Sequence, residues 1–321
     1  MIRHRPVGPA LVIAFACHAC ASTLPTPPAV KTAEVAPLPS VPPTVDELKN
    51  ATYIGFDERL GPVTLANGRW TGAPPTLGAA SRPIVELADD FRIVGDLDGD
   101  RRDEVVVVLT YRPGGTATLL FLAVVGREEG ILHNVATTAL GDRVQIRSVR
   151  IDGRRLLVSA VRAGAKDSAC CPGEIVDWQW TLDNGRLTPR GEVVTGRLSL
   201  DTLAGTAWVL RAWEVTEPNV SEPVVSLAYD KGRFTGSSGC NRYFAGVEGG
   251  AMPGDLKIGP LAGTRMACPD PQSAVETRFL EQLGGAQRFG FMLGRLAISY
   301  ARGNGSSGTM LFEASALSTD K

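Results

Sequence analysis

Asp96-Leu97-Asp98-Gly99-Asp100-Arg101-Arg102-Asp103-Glu104-Val105-Val106-Val107-Val108-Leu109-Thr110 passes from a carboxylate-rich loop into an unbroken β-branched run. Residues branched at Cβ fit a pleated strand better than a helix, so the run reads as a strand and the loop as its entrance. Similar runs recur at Thr116–Val125, Val144–Ile151, Leu156–Val161 and Glu174–Leu182. Between and around them stand Asn67-Gly68, Pro113-Gly114-Gly115, Asp152-Gly153 and Asn184-Gly185. These residue types tolerate the positive φ that tight hairpin turns demand. Residues 45–197 are therefore expected to form a mostly antiparallel β domain, opened by a short helical turn capped at Thr44. Four turns read x-Gly-Arg (at Gly68, Gly153, Gly185 and Gly232), but the flanking strands share no fixed period, so this is turn chemistry and not a repeat.

The loop itself carries possible chemistry. Asp96, Asp98, Asp100 and Glu104 occupy positions 1, 3, 5 and 9, and the carbonyl of Arg102 falls at position 7. Hard oxygen ligands at that spacing suit calcium. The nine residues resemble the D-x-D-G-D loop of FG-GAP and related calcium-binding β-repeats, which also lead into a strand. They depart from it at Arg101, where those loops have Gly, and Val107 offers no ligand at position 12. The competing reading is a solvated acidic loop neutralised by Arg101 and Arg102.

Length and composition set the frame around this segment. A chain of 321 residues suits two domains, and 44% hydrophobic with 21% charged residues is ordinary for a globular protein. A net charge of −1 provides no field for nucleic acid, so no nucleic-acid partner is expected. Arg3 and Arg5 precede an apolar run, Val7 to Ala16, and then small residues, the layout of an export signal over residues 1–20. Two cuts compete: an A-x-A site at Ala19-Cys20-Ala21, or lipidation of Cys20, whose Cys-Ala-Ser-Thr start resembles that of a bacterial lipoprotein. With lipid, Ala21 points to the outer membrane; without it, the protein is soluble in the periplasm. Loss of Arg3 and Arg5 without any acid takes the charge from −1 to −3. Residues 21–44, with Pro25, Pro27, Pro28, Pro37, Pro39, Pro42 and Pro43, read as an extended tether at about 3.1 Å per residue.

The second half, residues 198–316, contains Leu203-Ala204-Gly205-Thr206-Ala207-Trp208-Val209-Leu210, then Gly239-Cys240-Asn241-Arg242-Tyr243, then Gly263-Thr264-Arg265-Met266-Ala267-Cys268. In this order the three blocks resemble the META domain of HslJ-like heat-shock proteins. The resemblance implies an α+β fold with one main helix on a sheet, and a part in envelope stress tolerance or as an interaction module. The residues agree with such a fold. Ser273-Ala274-Val275-Glu276 is a capping-box pattern, Val275, Phe279, Leu280 and Leu283 share a face, and Gly284-Gly285 stops the helix. Strands are expected at 207–213, 224–229, 256–258, 296–300 and 309–313, with Trp208 in the core. Cys240 and Cys268 lie in motif blocks and are expected to pair in an oxidising compartment. Arg242 and Arg265 flank them; satisfaction of buried carbonyls or acids competes with a shared anion site.

Cys170 and Cys171 are adjacent, closer than the usual disulfide span, so a vicinal bridge closing a turn competes with a redox or metal role. No enzyme is legible. His133 is the sole histidine after the signal, Gly236-Ser237-Ser238-Gly239 has the wrong spacing for a nucleophile elbow, and no phosphate-binding glycine loop occurs. A non-catalytic, lipid-anchored envelope protein leads, engaging an unidentified envelope protein or ligand. A calcium-stabilised adhesion module and an unrecognised hydrolase are the alternatives.

Overall fold

A computed structural model describes Gly8 and residues 41–57, 60–74, 81–168, 170–218 and 222–315. Apart from Gly8, the expected export signal, together with Cys20 and most of the Pro-rich segment, lies outside the described residues. Pro39–Lys321 form one compact unit.

The chain enters through α1 (Val45–Lys49) and the ribbon β1 (Thr52–Tyr53) with β2 (Val63–Thr64). Next come β3 (Arg69–Thr71), β4 (Ile84–Gly95), β5 (Glu104–Arg112), β6 (Leu119–Glu128) and β7 (Ile131–Asp142), antiparallel and in sequence order in a five-stranded sheet. A four-stranded sheet follows: β8 (Gln145–Asp152), β9 (Arg155–Arg162), β10 (Glu174–Asp183) and β11 (Arg186–Arg197). Asn67-Gly68 and Asn184-Gly185 do adopt positive φ at both turn residues, as such hairpins need. Glu129-Gly130 and Leu293-Gly294 do the same without an Asn or Asp to announce it.

The valine run explains the layering. β5 is buried on both faces: Val106 and Val108 meet Trp178, Trp180 and Leu156 of the four-stranded sheet. Val105, Val107 and Leu109 meet Tyr53, Val63 and Leu48 on the opposite side. Such double burial is why the run does not alternate with polar residues. Residues 41–44, the end of the expected tether, are pinned to this body: Arg127 Nε donates to Val41 O at 3.2 Å and Arg92 Nη1 to Pro43 O at 3.2 Å.

After a 3-10 turn (Leu200–Leu203) the second half builds one ten-stranded sheet. Its strands are β12 (Ala207–Glu214), β13 (Glu217–Pro218), β14 (Ser226–Asp230), β15 (Arg233–Ser237), β16 (Arg242–Gly249), β17 (Leu256–Ile258), β18 (Ala262–Gly263), β19 (Ala286–Met292), β20 (Arg295–Ala301) and β21 (Ser307–Ser315). The path runs β17-β16-β15-β14-β12-β21-β20-β19, and its two ends nearly meet: Phe289 N donates to Gly254 O at 2.7 Å, and Asp255 and Arg288 form a bridge. The result is a near-barrel. α2 (Gln272–Gly284) buries Phe279 and Leu283 in the same core as Tyr243, Trp208 and Ile298. The expected capping box does not form: the helix starts at Gln272 behind Pro271, which has no capping side chain, so Ser273 lies inside the first turn, and Glu276 bonds to Ser238 and Asn241.

The two halves share interior. Val161 of β9 and Ile175 of β10 belong to the core that holds Leu256 and Phe289. Phe291 N donates to Gln145 Oε1 at 2.9 Å, and Gly294 N to Ile146 O at 2.9 Å. No helix among the described residues is long and apolar enough to cross a membrane.

At the entrance, Thr44 N donates to Glu47 Oε2 at 2.8 Å and Glu47 N to Thr44 Oγ1 at 3.3 Å, a complete capping box. Arg127 Nη2 contacts both Glu47 oxygens at 2.6 Å. The Arg127 hydrogen bond first, then those from Thr44, hold the Glu47 carboxyl down at about 2. A depressed carboxyl contributes stability that is present above about pH 4.5 and lost as pH falls toward 2. Because Glu47 is 38% exposed, solvent screens the pair. Glu47→Gln is expected to cost about 1 kcal/mol in urea unfolding at pH 7 and almost nothing at pH 2. An equal cost at both pH values would contradict this.

Candidate functional site

Two places concentrate polar chemistry, and the first is the acidic loop before β5. Asp96 curls the loop around itself, accepting from Gly99 N at 2.6 Å and Arg101 N at 3.0 Å. Asp98 Oδ1 accepts from Asp100 N at 3.0 Å, and Asp100 Oδ1 from Arg102 N at 2.7 Å. To close this curl Arg101 takes φ 69°, the left-handed conformation that a Gly would adopt more easily. The missing Gly therefore does not prevent the loop geometry. Oxygens of Asp96, Asp98 and Glu104 all lie within 4.8 Å of one another, whereas Asp100 stands outside that group. Of the four expected ligands, three converge.

Glu104 is the unusual member, being only 5% exposed. Its Oε2 accepts from Leu97 N at 2.8 Å, and Leu97 anchors the loop in the core. Burial, reinforced by the charges of Asp98, Asp100 and Asp96 against one opposing Leu97 hydrogen bond, pushes its carboxyl up to about 7. Donor set and geometry fit a hard divalent cation, which would relieve this crowding of charge. Arg154 competes: a Cβ added at Gly99 would come within 2.8 Å of Arg154 Nε, so that guanidinium already leans over the loop.

The second place joins the two cysteine-containing blocks to α2. Ser238 Oγ donates to Glu276 Oε2 at 2.6 Å, Asn241 N to the same oxygen at 2.8 Å, and Asn241 Nδ2 to Oε1 at 3.1 Å. Burial works against the Glu276 charge, yet these three bonds together hold its carboxyl below the usual range. Asn241 Oδ1 in turn accepts from Met266 N at 2.8 Å and Thr264 Oγ1 at 2.7 Å. The structure pairs Cys240 with Cys268 beside this network, at a Cα separation of 6.3 Å that a disulfide accommodates.

Above the network opens a cleft of about 260 Å³, lined by Arg242, Tyr243, Leu261, Thr264, Arg265 and Leu280 among others. Arg242 and Arg265 are both exposed. Neither guanidinium makes an ion pair or satisfies a buried carbonyl among the described residues, contrary to one of the two sequence-based expectations. The half-buried acid of this region, Glu276, takes its hydrogen bonds from Ser238 and Asn241 instead. Sequence reasoning overlooked Glu276 because a Glu three residues after a Ser looks like a helix cap.

The remaining candidates are scattered. His133 lies on β7 and Ser237 on β15, in different sheets, and Cys171 in the turn before β10. Cys170 and Cys171 are joined to each other, with Cα atoms 3.8 Å apart. Trp208 is 6% exposed in the core.

The family model of the META domain matches residues 201–312. This segment is a META domain, and it holds the cysteine pair, Glu276 and the cleft. A solved structure from Burkholderia xenovorans, determined by NMR, is 27% identical, covering 40% of this chain and 97% of its own, with a TM-score of 0.28. No curated protein matches the chain.

Proposed function

We propose that this chain is a non-catalytic protein of the cell envelope that works by binding, with its META domain as the interaction module. The observation that carries this reading is the cleft over Glu276. Two exposed arginines without ion pairs among the described residues stand beside Leu261 and Leu280, a surface suited to an anionic group attached to an apolar one. No nucleophile and base stand together there: Ser238 donates its hydroxyl to a carboxylate that is already engaged, and the one histidine of the mature chain is on another sheet. The signal layout of residues 1–20, with Cys20 as lipid anchor, supports an address at the outer membrane facing the periplasm. A role in envelope stress tolerance rests on the family likeness.

In cells under envelope stress, the doubly substituted Arg242→Glu, Arg265→Glu protein is expected to be exported and folded but to lose its protective effect. His133→Ala, Ser237→Ala and Asp103→Asn are expected to keep it. A folded, exported and inactive variant among those three would favour a hydrolase and contradict the reading.

A second reading is favoured by the convergence of Asp96, Asp98 and Glu104: calcium braces the first half as a structural ion. Affinity typical of extracellular sites, about 10⁻⁴–10⁻³ M, makes the effect visible at millimolar calcium. At ten times the dissociation constant the stabilisation is about 1.4 kcal/mol, a rise of a few degrees in melting temperature. Asp98→Ala is expected to abolish the rise. Identical melting of the wild type in calcium and in chelator would contradict this reading.

A further inference from the structure

The two sulfurs of the Cys170–Cys171 pair face different surroundings. Cys170 is exposed, while Cys171 is 2% exposed. Arg288 Nη1, on β19 of the META domain, donates to Cys171 Sγ at 3.1 Å. That guanidinium is held in place by Pro253, whose carbonyl accepts from Nη2 at 3.0 Å, and by Asp255 Oδ1, 3.7 Å from Nε. Described residues around the pair are held as well. Asp167 Oδ2 accepts from Gly164 N at 2.8 Å and Gly173 N at 2.9 Å, Arg197 pairs with the same carboxylate, and Cys171 N donates to Ser168 O at 2.9 Å. One sulfur is thus presented to solvent and the other to a cation.

That asymmetry matches what thiol–disulfide exchange requires. A thiolate attacks one sulfur and the other departs carrying the electron pair, faster when that departing charge is stabilised. Only Cys170 can be reached from outside, and attack there leaves the charge on Cys171, where Arg288 already donates. We propose that the Cys170–Cys171 turn is a redox site that exchanges with an external dithiol through Cys170, with Cys171 as the leaving sulfur held by Arg288. In the first step the dithiol's sulfur bonds to Cys170 and the Cys170–Cys171 bond breaks. In the second, the reagent's other sulfur displaces Cys170 and closes the reagent's own disulfide. The dithiol loses two electrons and two protons: the electrons and one proton go to the turn, which ends as a Cys170 thiol and a Cys171 thiolate against Arg288, and the other proton goes to water.

The other cysteine pair is built for permanence. Cys240–Cys268 closes a loop of sequence separation 28, which constrains the unfolded chain, whereas a separation of 1 constrains almost nothing. The vicinal bond can therefore open without loss of the fold. Opening would replace a neutral sulfur with a thiolate against Arg288, at the contact between the β9–β10 turn and the META domain.

The full oxidised protein is treated with dithiothreitol, quenched with a maleimide at intervals and mapped by peptide mass. Cys170–Cys171 is expected to open before Cys240–Cys268, Arg288→Gln to slow that opening about tenfold, and Arg288→Lys to restore much of the rate. In proteins that retain Arg288, Cys171→Ser is expected to leave Cys170 reactive in the folded state. Cys170→Ser is expected to leave Cys171 unlabelled until the protein unfolds. These two variants decide the direction of attack even where Arg288→Gln fails to fold. Equal opening rates in folded wild type and Arg288→Gln, prior opening of Cys240–Cys268, or labelling of Cys171 in preference to Cys170 would each overturn the proposal.

Discussion

Glu276 turns from the first turns of α2 into the protein and receives three hydrogen bonds, one from Ser238 and two from Asn241. A carboxylate partly withdrawn from water keeps its charge at low cost when its lone pairs are met, and here they are met by the neighbours Ser238 and Asn241. Asn241 then uses its remaining oxygen on Thr264 and Met266, so the second block hangs from the first. The disulfide between Cys240 and Cys268 lies beside the same junction. Helix, two loops and the cleft with its arginines therefore share one electrostatic anchor. Remove the carboxylate, and the backbone N–H of Asn241, a residue only 6% exposed, loses its acceptor.

A different constraint governs the first half. β5 has no solvent face, so its five-stranded sheet must be covered on both sides. The four-stranded sheet covers one and the α1–β2 entrance the other. This is why residues 41–44 are drawn against β4 and β6 through Arg92 and Arg127 instead of continuing as free tether. It also fixes the acidic loop: Leu97 is buried and Glu104 begins β5, so both ends of the loop are immobilised by the core.

Much of this was legible in the residues. The β-branched runs, the Asn-Gly turns and the motif blocks locate strands and the META domain because they depend on local backbone preference or on short fixed spacing. What was hidden depends on partners distant in the chain. The double burial of β5 is set by which sheets stack on it. Glu276 has the spacing of a local cap but serves Asn241, 35 positions earlier. Arg288 reaches Cys171 across 117 positions, and no spacing rule announces such a contact. In the acidic loop, Arg101 looked like an obstacle, yet the hydrogen bonds of Asp96 to Gly99 and Arg101 outweigh the cost of a left-handed non-glycine residue.

The dependence of the META domain on the Glu276 charge is open to direct measurement by equilibrium unfolding of Glu276→Ala beside the wild type at pH 7, with amide exchange of Asn241 and Met266 followed in each. A lost acceptor for three bonds predicts destabilisation by about 2–4 kcal/mol and accelerated exchange at both amides. A loss below about 0.5 kcal/mol, with Asn241 and Met266 as protected as in the wild type, would contradict the account.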